Sequence, residues 1–404
     1  MIIFIQNQNM SRKIIVSGAG CCLVDKIYPQ IDFSHPDMQK YLSRSAGDGG
    51  LHPGRLVFSE QFEAFSDKPL KDIIEEIARG RKEPVLNVGG PSIVALIHAS
   101  QLLNDSIVEV NYFGTRGDDE PGAFLQTSLD ETPVNCERLR IARGSTPSTI
   151  VLSDPSYSND QGERAFINDI GASWNMGPED LEPGFFDSDV VIFGGTALVP
   201  GLHDKLTELL KKAKEKGCLT VVNTVFDFRS EFARPGEKWP LGQSDESYKH
   251  IDLLITDLEE ALHLSGRDNL LSAGNYFIEQ GVSSFLITAG ADHTLAWSGG
   301  QLFKSLPVSR FPVSPELIND LKGYQGGDTT GCGDNFTGGV IAALAWQLVE
   351  NNDKADLTEC LAWGTVSGGY CCFHLGGTMM EKEAGEKFQA IRPYFEKYMN
   401  HFHD

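Results

Sequence analysis

The sequence predicts an α/β fold: a doubly wound, mainly parallel sheet flanked by helices, with a small β-rich lid. Three observations carry that expectation. Short apolar runs bounded by Gly or Asp recur at 14–20, 108–114, 189–195, 219–225, 252–257 and 284–290. Continuous runs of that length suit strands buried on both faces. Helical patterns alternate with them at 92–103, 121–131, 202–216, 258–264 and 270–280, which predicts βαβ units with right-handed crossovers. After Gly331 only helices are expected, at 331–350, 357–373 and 382–398.

Two segments break this rhythm. Residues 31–83 are rich in Gly, Pro and acidic residues, with one clear helix at 70–79. Residues 146–170 read as two alternating strands joined by the turn-rich SYSNDQG, the pattern of a β-hairpin. Irregular segments this long are uncommon unless functional, so both are expected to form the lid, the first closing over a bound small molecule. The main unit is then 13–30, 84–145 and 171–400, with 31–83 and 146–170 as lid segments and 1–12 as a leader. The leader has a short apolar patch but no basic region and no small-residue cleavage site, unlike a signal peptide.

The chain of 404 residues, 41% hydrophobic, is long enough to bury one large core. Its 34 Lys+Arg against 56 Asp+Glu give a formal charge of −22, which opposes a nucleic-acid partner. A local cluster of backbone N–H groups can still hold a small anion. No stretch approaches the ~18 consecutive apolar residues of a membrane span, so no membrane partner is expected. The eight cysteines include no C-x-x-C pair, so a metal or disulfide framework is not expected. Reduced thiols in a cytoplasmic protein are.

The densest chemical signal is the string Gly326-Gly327-Asp328-Thr329-Thr330-Gly331-Cys332-Gly333-Asp334-Asn335-Phe336, followed at once by an apolar helix. Glycines at 331 and 333 allow close approach of a ligand to bare backbone. Free N–H groups at the helix start, with the positive end of the macrodipole, form an anion site. Asp334 falls in the first turn, beside that anion. Such an arrangement suits phosphoryl transfer: amides hold the phosphoryl oxygens while the carboxylate takes the proton of an attacking hydroxyl. No Gly-Lys-Ser/Thr follows, so this is not a P-loop.

The string DTTGCGD resembles the D-T-x-G-A-G-D signature of the PfkB/ribokinase family of carbohydrate and nucleoside kinases, with Cys332 in place of the common Ala. The resemblance implies a ribokinase-like fold, Asp334 as catalytic base and the amides of Gly331, Cys332 and Gly333 as anion hole. It implies that Asp257 and Glu260, in TDLEEA, stand at the family's N-x-x-E motif and organise Mg²⁺ through water. Read from residues alone, Asp257 is also a good helix cap. Thr288 and Gly290 resemble the T-x-G at the nucleotide phosphates. Asp328, Thr329 and Gly377 are implied near the nucleotide, and Asp25, Gly89 and Gly90, with Asp334, around the acceptor. The Asp118-Asp119 pair is expected to cap a helix.

The reaction so implied is ATP-dependent phosphoryl transfer to a hydroxymethyl group of a sugar or sugar-like substrate. The alternatives are a nucleoside kinase of the adenosine type and a non-catalytic sugar or nucleotide sensor on the same fold. ATP and Mg²⁺ are the implied cofactors, with a monovalent cation as a further candidate. A homodimer through the lid is a further expectation.

Overall fold

The computed structural model describes residues 12–45, 47–78, 83–103, 106–157, 163–324, 326–350 and 353–402. Residues 1–11 of the expected leader, the hairpin turn at 158–162 and residue 79 of the expected lid helix lie outside them. The strands among the described residues are β1 (Ile14–Gly20), β2 (Leu23–Tyr28), β3 (Leu56–Phe58), β4 (Val85–Gly89), β5 (Val108–Arg116), β6 (Asn135–Ile141) and β7 (Ser148–Asp154). They continue with β8 (Glu163–Asp169), β9 (Val190–Gly194), β10 (Leu219–Asn223), β11 (Leu253–Asp257), β12 (Ser284–Ala289), β13 (His293–Ser298) and β14 (Leu306–Pro312).

Nine strands form one sheet in the order β14-β13-β12-β11-β10-β9-β1-β5-β6. From β12 to β6 every pairing is parallel, and the edge pairs β12–β13 and β13–β14 are antiparallel. Side chains of the central strands alternate between two cores. Val190, Ile192, Val221, Leu253, Ile255 and Leu286 face the helices Pro91–Leu102, Cys332–Val349 and Leu357–Cys371. Val191, Phe193, Val222, Leu254, Phe285 and Ile287 face the helices Leu206–Glu215, Leu258–Ser265 and Leu270–Gln280. Burial on both sides is what the unbroken apolar runs predicted, and each such side chain is worth about 1.5–3 kcal/mol. The expected helix 202–216 is in fact two, Pro200–His203 and Leu206–Glu215.

The helix Cys332–Val349 is apolar all round and lies between Pro91–Leu102 and Leu357–Cys371. A Cβ at Gly338 would come 2.6 Å from the Ala95 carbonyl oxygen, and one at Gly339 2.5 Å from that of Trp363. Bare backbone therefore sets how closely this helix seats, and with it the position of its N-terminus.

A second sheet has the order β3-β8-β7-β2-β4. β7 and β8 are the predicted hairpin, paired antiparallel. The sheet also takes β2 and β4 from stretches that the sequence division gave to the main unit, so boundaries at 30/31 and 83/84 do not follow the sheet. Only Cys21 and Cys22 separate β1 from β2, a link too short to leave a compositional mark. Ile31, Phe33, Met38, Tyr41, Leu51, Phe62, Ile73 and Ile77 of the insertion pack on Ile150, Leu152, Ala165 and Ile167. The insertion thus backs one face of the small sheet. Among the described residues no helix is long and apolar enough to cross a membrane.

Candidate active site

The helix Cys332–Val349 begins at Gly331, whose φ of 73° is left-handed and favours glycine. No side chain caps this helix start. Among the described residues the Gly331 and Gly333 N–H groups have no protein acceptor, and the Cys332 N–H reaches Thr329 O only at 3.4 Å. Among the described residues a Cβ on Gly333 would meet nothing within 4 Å, so the backbone is open on that side of Gly333. With about half a positive charge from the macrodipole, these amides make an anion site.

Side chains behind the loop hold this shape. Asp328 accepts from the Thr330 N–H at 2.9 Å, the Thr330 hydroxyl at 3.0 Å and the Gly376 N–H at 3.3 Å. Asn335 Nδ2 donates to the carbonyls of Gly331 at 2.8 Å and Gly377 at 2.7 Å. A Cβ at Gly331 would sit 2.4 Å from Gly377 Cα. The structure therefore places Asp328 and Gly377 in the framework of the loop itself. Cys332 Sγ lies 3.3 Å from Cys372 Sγ, and Cys371 Sγ donates to Thr330 O at 3.2 Å.

Asp334 is half-buried at the first turn, and burial pushes its carboxyl up to about 7. Asp25 on β2 is 6% exposed. Its carboxyl is raised to about 8, first by burial and then by the charges of Asp334 and Asp328, with Arg164 opposing. The charge of Asp334 thus reaches Asp25. Burial, and after it the charge of Asp334, raise the thiol of Cys21, just past the end of β1. A Cβ at Gly89 would lie 2.2 Å from Asp25 Oδ2. A Cβ at Gly90, whose φ is 105°, would come 2.6 Å from the Cys21 carbonyl oxygen. The structure therefore gathers Asp25, Gly89, Gly90 and Asp334, with the two glycines packed against Asp25 and the β1–β2 turn. A carboxyl poised near neutral pH is suited to taking a proton from a hydroxyl.

Asp257 ends β11 and caps the next helix, accepting from the Glu260 N–H at 2.8 Å. Glu260 is buried and accepts from the hydroxyls of Thr224 and Thr256. Burial, then the charge of Asp257, raise its carboxyl to about 8. Thr288 pairs with Asp257 across β11–β12, and Gly290 follows with open space around its Cα. These residues sit at the carboxyl ends of parallel strands, the edge where such sheets bind ligands. An all-oxygen pair of carboxylates fits Mg²⁺, a hard cation that keeps several waters and needs one or two carboxylates.

Several neighbours escaped sequence reasoning. Arg164 of β8 donates to Thr329 Oγ1 at 2.6 Å and to the Thr330 hydroxyl, tying the small sheet to the anion loop. Its guanidinium also lies 5.5 Å from the centre of the Phe166 ring. Thr329 is thereby engaged by the lid. Period-two alternation in ERAFIND puts Arg164, Phe166 and Asn168 on one face, a signal available in the sequence. The roles of Asn335 and Thr224 had no such signal, because their partners are 42 and 36 residues away. The Asp118-Asp119 expectation resolves to Asp119, which caps the helix Glu120–Asp130 through the Gly122 N–H at 2.9 Å.

Comparison with known proteins gives the family and the fold. Residues 73–383 match the description "pfkB family carbohydrate kinase". The chain is 25% identical over 295 residues to a fructokinase of Klebsiella pneumoniae, covering 70% of this chain and 86% of that protein. It is also 25% identical over 247 residues to aminoimidazole riboside kinase of Salmonella typhimurium, covering 59% and 68%. Among solved structures, adenosine kinase from Schistosoma mansoni in complex with 2-fluoroadenosine has a similar fold, with TM-score 0.68 at 18% identity, covering 91% of this chain and 97% of that one. Ribokinase of Arabidopsis thaliana complexed with ribose and ATP superposes with TM-score 0.60 at 16% identity, covering 95% and 99%. The fold is ribokinase-like, and the chain belongs to the pfkB family of carbohydrate kinases.

Proposed function

We propose that the protein transfers the γ-phosphoryl group of ATP to a hydroxymethyl group of a sugar or sugar-like acceptor. One observation carries this reading: the amides of Gly331 and Gly333, without a protein acceptor among the described residues, stand at the start of the helix whose first turn carries Asp334, with open space beside Gly333. As the acceptor hydroxyl attacks, Asp334 takes its proton, and the amides of Gly331, Cys332 and Gly333 hold the phosphoryl oxygens. Asp25 orients the acceptor through its hydroxyls, with Gly89 and Gly90 beneath. Thr288 and Gly290 lie toward the nucleotide phosphates, with Asp328, Thr329 and Gly377 shaping the loop beside them. Asp257 and Glu260 would hold Mg²⁺ through water, and the cation would supply charge neutralisation on the phosphates. A monovalent-cation requirement is part of the proposal, and omission of K⁺ from the assay tests it.

A nucleoside acceptor is the second reading, favoured by the fold shared with adenosine kinase. A non-catalytic sensor is disfavoured by the intact base and loop. The eight cysteines, free as thiols, suit the reducing cytoplasm. We extend the proposal to a homodimer through the lid.

General-base catalysis is worth about 10²–10⁴ in rate. Asp334→Asn should lose turnover by that order in a coupled ADP-release assay while binding ATP as the wild type does. An active Asn variant would remove Asp334 from its role.

A further inference from the structure

The cleft-side face of the small sheet carries a polar row that the roles above leave unexplained. Register sets Asn87, Asp25, Thr149 and Asn168 side by side on β4, β2, β7 and β8, and Phe58 of β3 closes the row. Alternation along β8 puts Asn168 on the face of Arg164, and Arg164 reaches Thr329 and Thr330 of the anion loop. The opposite face, with Ile150, Leu152, Ala165 and Ile167, is filled by the insertion. The row therefore looks toward the catalytic helix.

Its members differ in what they have left to offer. Asn87 is spent, giving and taking one bond with the Thr378 backbone, each of 3.0 Å. Asn168 is 2% exposed and donates from Nδ2 to Thr149 Oγ1 at 2.9 Å, yet its Oδ1 has no partner. Buried polar atoms are seldom left so. Among the described residues the Thr149 hydroxyl hydrogen likewise has no acceptor. Asp25, Thr149 and Asn168 thus present a carboxyl, a hydroxyl donor and an amide acceptor on three neighbouring strands. Strands lie about 4.8 Å apart, so the row spans roughly 10 Å, about the length of a substituted sugar ring. Arg164, the cation on this face, is already engaged by the anion loop, so nothing in the row compensates an anionic substituent.

We infer that Thr149 and Asn168, beside Asp25, determine acceptor specificity by binding the hydroxyls of a neutral ring with vicinal hydroxyls, and that sugar acids are excluded. This rests on the kinase reading. A free sugar and a riboside share that chemistry, and the ligands below tell them apart.

The test measures equilibrium binding of fructose, ribose, adenosine and gluconate to the full chain and to Asn168→Leu, Thr149→Val and Thr149→Ser. Thermal unfolding of each variant checks folding. Expected is binding of at least one neutral ligand to the wild type, with gluconate weaker. Asn168→Leu and Thr149→Val should each raise the acceptor Kd by about ten- to a hundredfold. Their ATP Kd should stay at the wild-type value, and Thr149→Ser, which keeps the hydroxyl, should restore acceptor binding. Wild-type acceptor affinity in both Leu and Val variants overturns the inference, as does tighter binding of gluconate than of every neutral ligand, or no neutral binding at all. A wild type that phosphorylates gluconate keeps the kinase reading while sinking this one. A wild type that fails to bind ATP sinks the kinase reading itself.

Discussion

Asp334, Asp25 and Glu260 hold their protons to about 7, 8 and 8, against ordinary values of 3.8, 3.8 and 4.5. All three shifts run upward. Between roughly pH 4 and 8 the folded chain therefore keeps protons that the unfolded chain has released, and stability falls as pH rises through that window. Asp334→Asn removes one of these contributions. In urea unfolding the variant should be more stable than the wild type at pH 8 and nearly equal at pH 4, while its activity is lost. The same carboxyl gives the wild type an acid limb: kcat/KM should fall about tenfold per unit below pH 7 and level off above it. A profile flat down to pH 5 would disconnect Asp334 from the proton transfer. The Gly-Asp string was legible because its residue types carry their chemistry locally. Asn168 was not, because a lone Asn in a strand acquires meaning only from the residues opposite it.

At the scale of elements, the insertion is a backing layer. Its Ile, Phe and Met side chains cover Ile150, Leu152, Ala165 and Ile167 on the face of the small sheet opposite Arg164. It also supplies β3, paired with β8. Replacing residues 31–78 by a short linker should uncover that apolar face, lowering soluble yield and raising binding of a hydrophobic dye. ATP binding, which the proposal assigns to the large sheet and the loop before Cys332, should persist, and acceptor binding should weaken. A soluble deletion with unchanged acceptor affinity would show that the small sheet stands without its backing. Length and turn-rich composition marked this segment as unusual, but they could not say which face it would cover. A one-residue change of register reverses inside and outside in a strand.

The molecule as a whole is two sheets meeting where the helix Cys332–Val349 begins, and β4 is an edge strand of the lid sheet, its Val88 carbonyl taken by the Thr378 hydroxyl. Val85 and Leu86 there are 44% and 42% exposed, and an exposed apolar edge strand invites pairing with another chain. If two copies join through the lid, sedimentation at micromolar concentration should give a dimer, and Leu86→Lys should shift it to monomer. A monomeric wild type at that concentration would remove the lid dimer from the proposal.

By itself the sequence determined the layered α/β plan, through the period of its apolar runs, and the anion loop with its carboxylate, through residues whose function needs only near neighbours. The tertiary structure decided which strands make the small sheet, which of its faces the insertion covers, that Arg164 and Asn335 hold the loop, and that Asn168 shares the face of Arg164. Those facts depend on contacts between residues far apart in the chain, and the geometry of such contacts is fixed only when the two sheets and the glycine-seated helix pack together.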